Sequence, residues 1–168
     1  MTARLHSRDQ HPTDVARACV AVALRAVRSE PQTRLDALRV LGRAGLATRV
    51  GGVGEWVPSA LARWARSVVF VREPGAVGER VLTPARTLEL GQGDCDDVAA
   101  AVCAWALAVG LRAGVVWRWT GERLAHICAV VAGDWEGSPP SWVVDPERGL
   151  SQLDGPEWQW GHVLEAEL

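Results

Sequence analysis

The sequence predicts an α+β domain, and three observations carry that prediction. Helical periodicity runs through the first two thirds of the chain, period-2 alternation follows it, and an acidic capped helix start, Gly93-Asp94-Cys95-Asp96-Asp97, lies between them. The chain has 168 residues and 48% apolar content, enough for one compact core.

The elements follow in order. Thr13 is placed to cap a helix with Val15, Cys19, Val20, Ala23, Leu24 and Val27 on one face, ending near Glu30-Pro31. A shorter helical pattern, Leu35, Leu38, Val40 and Leu41, is closed by Gly42 or Gly45. Residues 51–54 break regularity, and a third helix is expected from Pro58 to about Val69, with Leu61, Trp64 and Ala65 inward. Pro74, Gly75, Gly78 and Pro84 mark Phe70 to Leu90 as an ordered loop. Asp94 then caps a strong helix, with Asp97 three residues on as in a capping box; Val98, Val102, Trp105 and Val109 form its buried stripe and Gly110 its stop. Strands are expected over Ala113–Trp119, Leu124–Ala132 and Ser141–Asp145. Gly121-Glu122 turns between the first two, and Gly137, Pro139 and Pro140 lie in the loop before the third. The whole reads as one domain, 1–168, made of a helical N-terminal extension (about 1–55), a core (about 56–149) and a C-terminal tail (150–168).

Composition excludes several functions. The 18 basic residues, all Arg, against 20 acidic ones leave a net charge of −2, so no basic surface for nucleic acid is expected. The longest apolar run, Val98 to Leu111, falls short of the roughly 20 residues that span a bilayer. The N-terminal stretch around Arg4, His6, Arg8, Asp9 and His11 lacks the apolar core of a signal peptide. A cytoplasmic location is expected, virion-associated if the chain is phage-encoded. Cys19, Cys95, Cys103 and Cys128 fit neither zinc-knuckle nor CxxC spacing, and reduced thiols are expected.

One thiol stands apart. Cys95 follows the cap directly, so the first-turn N–H groups and the helix dipole favour its thiolate and offer donors to an oxyanion. Gln92, three residues upstream, is a candidate second donor. Asp94, Asp96 and Asp97 oppose the thiolate, so a nearby cation is required. Alternation puts Leu124, His126, Cys128 and Val130 on one strand face, and Asp145 closes the next strand. Cys95, His126 and Asp145 thus form a nucleophile, a base and an orienting carboxylate.

Gly93-Asp94-Cys95-Asp96-Asp97, then Ala125-His126, then Trp142-Val143-Val144-Asp145-Pro146 resemble the transglutaminase-like superfamily of papain-like cysteine enzymes. Trp64 through Gly149 is particularly similar to its small bacterial and phage-encoded branch, with Phe70 to Gly75 and Thr83 to Leu88 matching the approach to the cysteine box. The resemblance implies a papain-like core in which the Cys helix packs on an antiparallel sheet, and a Cys95–His126–Asp145 triad. Relatives of this kind look more often like hydrolases, so amide or peptide hydrolysis through an acyl-enzyme is expected. The alternatives are an amine-acceptor transglutaminase and a non-catalytic phage virion or tail protein that keeps the fold. The chain departs from the family in carrying Ile127-Cys128 after the histidine, and nothing in the family matches the first 55 residues or the tail.

Asp94 reads as a cap with a supporting role, and Asp96 and Asp97 as ordinary first-turn acids. Their spacing matches no calcium loop, and no metal or cofactor is expected. Cys19, Cys103 and Cys128 read as core, and His162, His6 and His11 as surface. Trp56, Trp64, Trp105 and Trp142 read as core, and packing is also the favoured role for the pairs Trp117/Trp119 and Trp158/Trp160. The expected partners are a protein or peptide substrate and, for the structural alternative, phage or other assembly proteins; no nucleic acid or membrane is expected, and the chain is expected as a monomer or small oligomer. With no Lys, self-crosslinking through that side chain is excluded.

Overall fold

The computed structural model describes residues 3–4, 12–43, 53–71, 80–120, 123–132, 141–153 and 162–167. Helices α1 (Pro12–Ser29), α2 (Gln32–Arg43), α3 (Val53–Ala65), α4 (Pro84–Leu90) and α5 (Cys95–Ala108) surround or support one antiparallel sheet. Its strands are β5 (Arg112–Thr120), β6 (Arg123–Ala132), β7 (Trp142–Asp145), β8 (Gly149–Gln152) and β9 (His162–Ala166), in the order β8-β7-β6-β5-β9. Two minor pairs complete the set. β1 (Ala3–Arg4) runs antiparallel to β3 (Arg80–Val81), and β2 (Val69–Phe70) runs parallel to β4 (Gln92–Gly93).

Helix α5 is the centre of the molecule. Every residue from Asp96 to Leu107 is buried, which is wider than the single stripe its valines predict. Five alanines let neighbouring backbones approach on all sides, the pattern of a helix enclosed by protein. One side meets α2 and α3, where Trp64 and Trp105 stack edge to face with centroids 4.4 Å apart. Another meets α1 through Val15, Ala16, Cys19 and Val22, and the sheet covers it through Val115, Trp117, Ile127, Ala129, Val131 and Val144. On the far face of the sheet Val116, Cys128, Val130 and Val143 form a smaller cluster.

Several expectations need correction. The stretch read as a loop contains α4, because Thr83-Pro84 is a helix start: Thr83 Oγ1 accepts from the Arg86 N–H, and Pro84 takes the first helical position, where its missing N–H is no loss. Helix α3 begins at Val53 and ends at Ala65, with Pro58 inside it. In α2 the buried stripe is Thr33, Asp36, Ala37, Val40 and Leu41, while Leu35 and Leu38 are exposed; 33, 36, 37, 40 and 41 share one helical face and 35 and 38 fall off it. The region read as a tail supplies two strands, the rest of β8 and all of β9. Period-2 alternation along β6 stops at a slip in register, where His126 faces Arg118 but Leu124 faces Trp119 and Ala125 is the extra residue. Trp105 and Trp117 are buried, and Trp56, Trp64 and Trp142 are partly buried. The expected turn at Gly121-Glu122, the loop at Gly137, Pro139 and Pro140, His6, His11, Trp158 and Trp160 lie outside the described residues, as do the side chains of Trp119 and His162.

Strand β9 fits against β5 only because Gly114 has no side chain. A Cβ there would stand 2.4 Å from the Leu164 carbonyl oxygen and 3.0 Å from Glu165 Cα, both backbone atoms of β9. Gly114→Ala is therefore expected to lower stability by about 1–3 kcal/mol through displacement of β9. Urea unfolding measures the loss, and hydrogen exchange should rise first in the β5 and β9 amides.

Candidate active site

The start of α5 is fixed by a buried carboxylate. Asp97, 3% exposed, accepts the Leu82 N–H on Oδ1 at 2.7 Å and the Asp94 N–H on Oδ2 at 3.2 Å. The second bond is one arm of the predicted capping box. The first ties the helix start to the chain between β3 and α4. Gly93 leaves the room for this carboxylate, since a Cβ there would lie 2.9 Å from both Asp97 Cβ and Oδ2. Asp96 is buried as well; its Oδ1 accepts the Asp97 N–H, and its carbonyl accepts the Cys19 thiol of α1 at 3.6 Å. Asp96 and Asp97 are first-turn acids as expected, and both are buried, because the chain on either side closes over them.

Cys95 is the first residue of α5 and half-buried, while Cys19, Cys103 and Cys128 are buried. Burial pushes the thiols of Cys103 and Cys128 up to about 12 and that of Cys19 well above its ordinary value. Three of the four cysteines are therefore held as neutral thiols away from solvent, as their positions predict. Cys95 alone pairs access with a helix N-terminus.

His126 and Asp145 are brought together. His126 Nε2–H donates to Asp145 Oδ1 at 3.2 Å, with the histidine side chain 8% exposed and the carboxylate fully buried. The same Oδ1 accepts the Glu147 N–H at 2.7 Å and the Arg148 N–H at 3.1 Å, so the turn from β7 into β8 holds the carboxylate in place. Burial opposes ionisation of both groups, and their pairing overcomes it. Desolvation works to lower the His126 pKa, but the Asp145 hydrogen bond and then the Cys128 and Cys95 thiols raise it well above 6.5. Burial likewise works to raise the Asp145 pKa, yet the hydrogen bond and charge of His126 and the two backbone donors bring it below 3.8. Both shifts run in the direction that favours an imidazolium beside a carboxylate. Cys95 packs with the cluster between sheet and helices, and Cys128 with the one on the sheet's far face.

Among the described residues, two groups have metal-ligand chemistry: His126, Cys128 and Asp145, and Asp94, Asp96 and Asp97. Within each, the ligand atoms lie within 4.8 Å of one another. Gln92 lies on β4, exposed. An adjacent feature that the sequence pattern does not signal is the exposed apolar run Val69, Phe70 and Val71, 64%, 55% and 45% exposed. Its N–H groups at Val69 and Val71 bond Gly91 O and Gly93 O, which sets it beside the cysteine box.

A thiol opens a buried helix, and an imidazole paired with a carboxylate lies on the antiparallel sheet that packs against that helix. The model of the transglutaminase-like superfamily matches residues 57–154, more than half of the chain, and the chain belongs to that superfamily. Its members are typically cysteine-dependent enzymes, acyltransferases or hydrolases. No curated protein matches the chain. No helix among the described residues is long and apolar enough to cross a membrane.

The ion pair has a testable signature. Asp145→Asn removes the charge that holds the imidazolium, and burial then carries the His126 pKa down. In an NMR titration, wild-type His126 should stay protonated as pH passes 6.5, whereas the variant's ring should lose its proton at or below that value. The stability the pair contributes is present between the two shifted values. It is lost as pH falls through the lowered Asp145 pKa, below 3.8, and as pH rises through the raised His126 pKa.

Proposed function

We propose that this chain is a cysteine-nucleophile acyl-transfer enzyme that hydrolyses amide or peptide bonds, with Cys95 as nucleophile, His126 as acid and base, and Asp145 as the group that orients it. The observation that supports the reading is an imidazole hydrogen-bonded to a buried carboxylate, with the thiol that opens α5 among the groups that raise its pKa. That is the arrangement nucleophilic catalysis needs.

In this reading Cys95 attacks the carbonyl carbon, and the oxyanion forms beside the first-turn N–H groups of α5, with the exposed Gln92 amide as a second donor. Asp94 supports the nucleophile by closing the helix start. His126 gives its proton to the leaving amine, then takes one from water to release the thioester. The apolar run Val69–Val71 supports a peptide as substrate, because its outer strand edge and side chains offer an extended chain both backbone pairing and apolar contact. The reaction is assigned to one domain, 1–168, around a core of about 56–149. Water and an amine acceptor share every step up to the thioester, so product analysis separates hydrolase from transglutaminase.

Iodoacetamide labelling followed by peptide mass analysis tests the reading. Cys95 is expected to react at least tenfold faster than Cys103 or Cys128, roughly the contrast between an activated and a buried thiol. His126→Ala should abolish that advantage. Equal reactivity of the three thiols would leave a non-catalytic protein that keeps the fold.

A further inference from the structure

We propose that His126, Cys128 and Asp145 form a binding site for a thiophilic divalent cation of the zinc class, and that the cation, when bound, removes the base from Cys95. The second clause rests on the hydrolase reading; the first does not.

The site is built from three side chains on two neighbouring strands. Cys128 follows His126 by two residues on β6, and Asp145 ends the neighbouring strand β7. All three are buried, at 6%, 0% and 0% exposure, and their ligand atoms lie within 4.8 Å of one another. Zinc bonds of about 2.0–2.3 Å place tetrahedral ligands roughly 3.5 Å apart, and His126 Nε2 and Asp145 Oδ1 already stand 3.2 Å apart. Asp145 also has capacity to spare. Its Oδ1 accepts three N–H groups, whereas Oδ2 is buried and meets no hydrogen-bond donor among the described residues. A buried anionic oxygen without a donor is rare and calls for a cation or a water.

The donor set selects the metal. Imidazole, thiolate and carboxylate together suit zinc-class ions, whereas the all-oxygen group Asp94, Asp96 and Asp97 would suit a hard cation. Binding forms a metal bond to Nε2, to a carboxylate oxygen and to Cys128 Sγ, and any proton that the ring nitrogen or the thiol carries is released to solvent as the metal takes its place. The fourth position is left to water, and Cys95 is not a ligand. The consequence falls on the reaction, because the Nε2–Asp145 hydrogen bond is replaced and the imidazole no longer cycles its proton.

Cobalt(II) titration of the full chain tests the site, since cobalt reports a thiolate ligand through a sulfur-to-metal charge-transfer band. One cobalt per chain with that band is expected in wild type and in Cys95→Ala, with zinc displacing the cobalt. Cys128→Ser should lose the band and weaken binding by about tenfold or more, Cys128→Ala should do the same, and Asp96→Asn should change nothing. Far-UV circular dichroism of each variant checks the fold. No band in wild type would overturn the proposal, as would a band that survives in Cys128→Ser or disappears in Cys95→Ala. Labelling of Cys95 in metal-free protein reads the catalytic proposal separately. A fast-reacting Cys95 without a cobalt band defeats only the metal site, and a cobalt band with an unreactive Cys95 defeats only the hydrolase.

Discussion

A single buried carboxylate, Asp97, holds together the region on which the rest of the site depends. It occupies the space that Gly93 leaves open, takes one N–H from the cap residue and another from Leu82, and so fixes where α5 begins. A carboxyl group at 3% exposure is tolerable only with its oxygens hydrogen-bonded, and the Asp94 and Leu82 N–H groups supply those bonds. Because the helix is enclosed on all sides by α1, α2, α3 and the sheet, it cannot shift along its axis to relieve a bad start. The position of Cys95 is therefore set by packing along the whole of α5 and by the Asp97 bonds at its end.

The second fixed point is the turn after β7. Asp145 Oδ1 gathers two turn N–H groups and the imidazole, so strand end, turn and side chain are specified together. His126 sits beside the register slip at Ala125, and a bulge of this kind re-aims side chains at the end of a ladder. Helix start and strand ends are independent constructions, and the sheet wrapped against α5 brings them within reach of one imidazole.

The sequence made much of this legible, for identifiable reasons. Asp94-Cys95-Asp96-Asp97 before an apolar run states a capped helix start outright, and the alternation around His126 and up to Asp145 states two strands. What it hid depends on context. Pro84 looks like a breaker unless Thr83 is recognised as its cap. Asp96 and Asp97 look solvated because a local pattern says nothing about Leu82, which arrives from fifteen residues upstream of Asp97. Leu35 and Leu38 look buried until the phase of α2 is fixed by Ala37, Val40 and Leu41. Strand β9 carries no signal of its own; its place is made by Gly114 on another strand.

The N-terminal helix belongs to this account although it lies outside the matched residues 57–154. Helix α1 lays Val15, Ala16 and Cys19 against Ala99 and Ala100 of α5, and the Cys19 thiol bonds the Asp96 carbonyl one residue beyond Cys95. Cys95 itself packs against this same cluster, together with Trp117 and Ile127. One wall around Cys95 is thus supplied by a helix from outside the matched region, so the surroundings and access of that thiol are set by α1 as well as by the matched core.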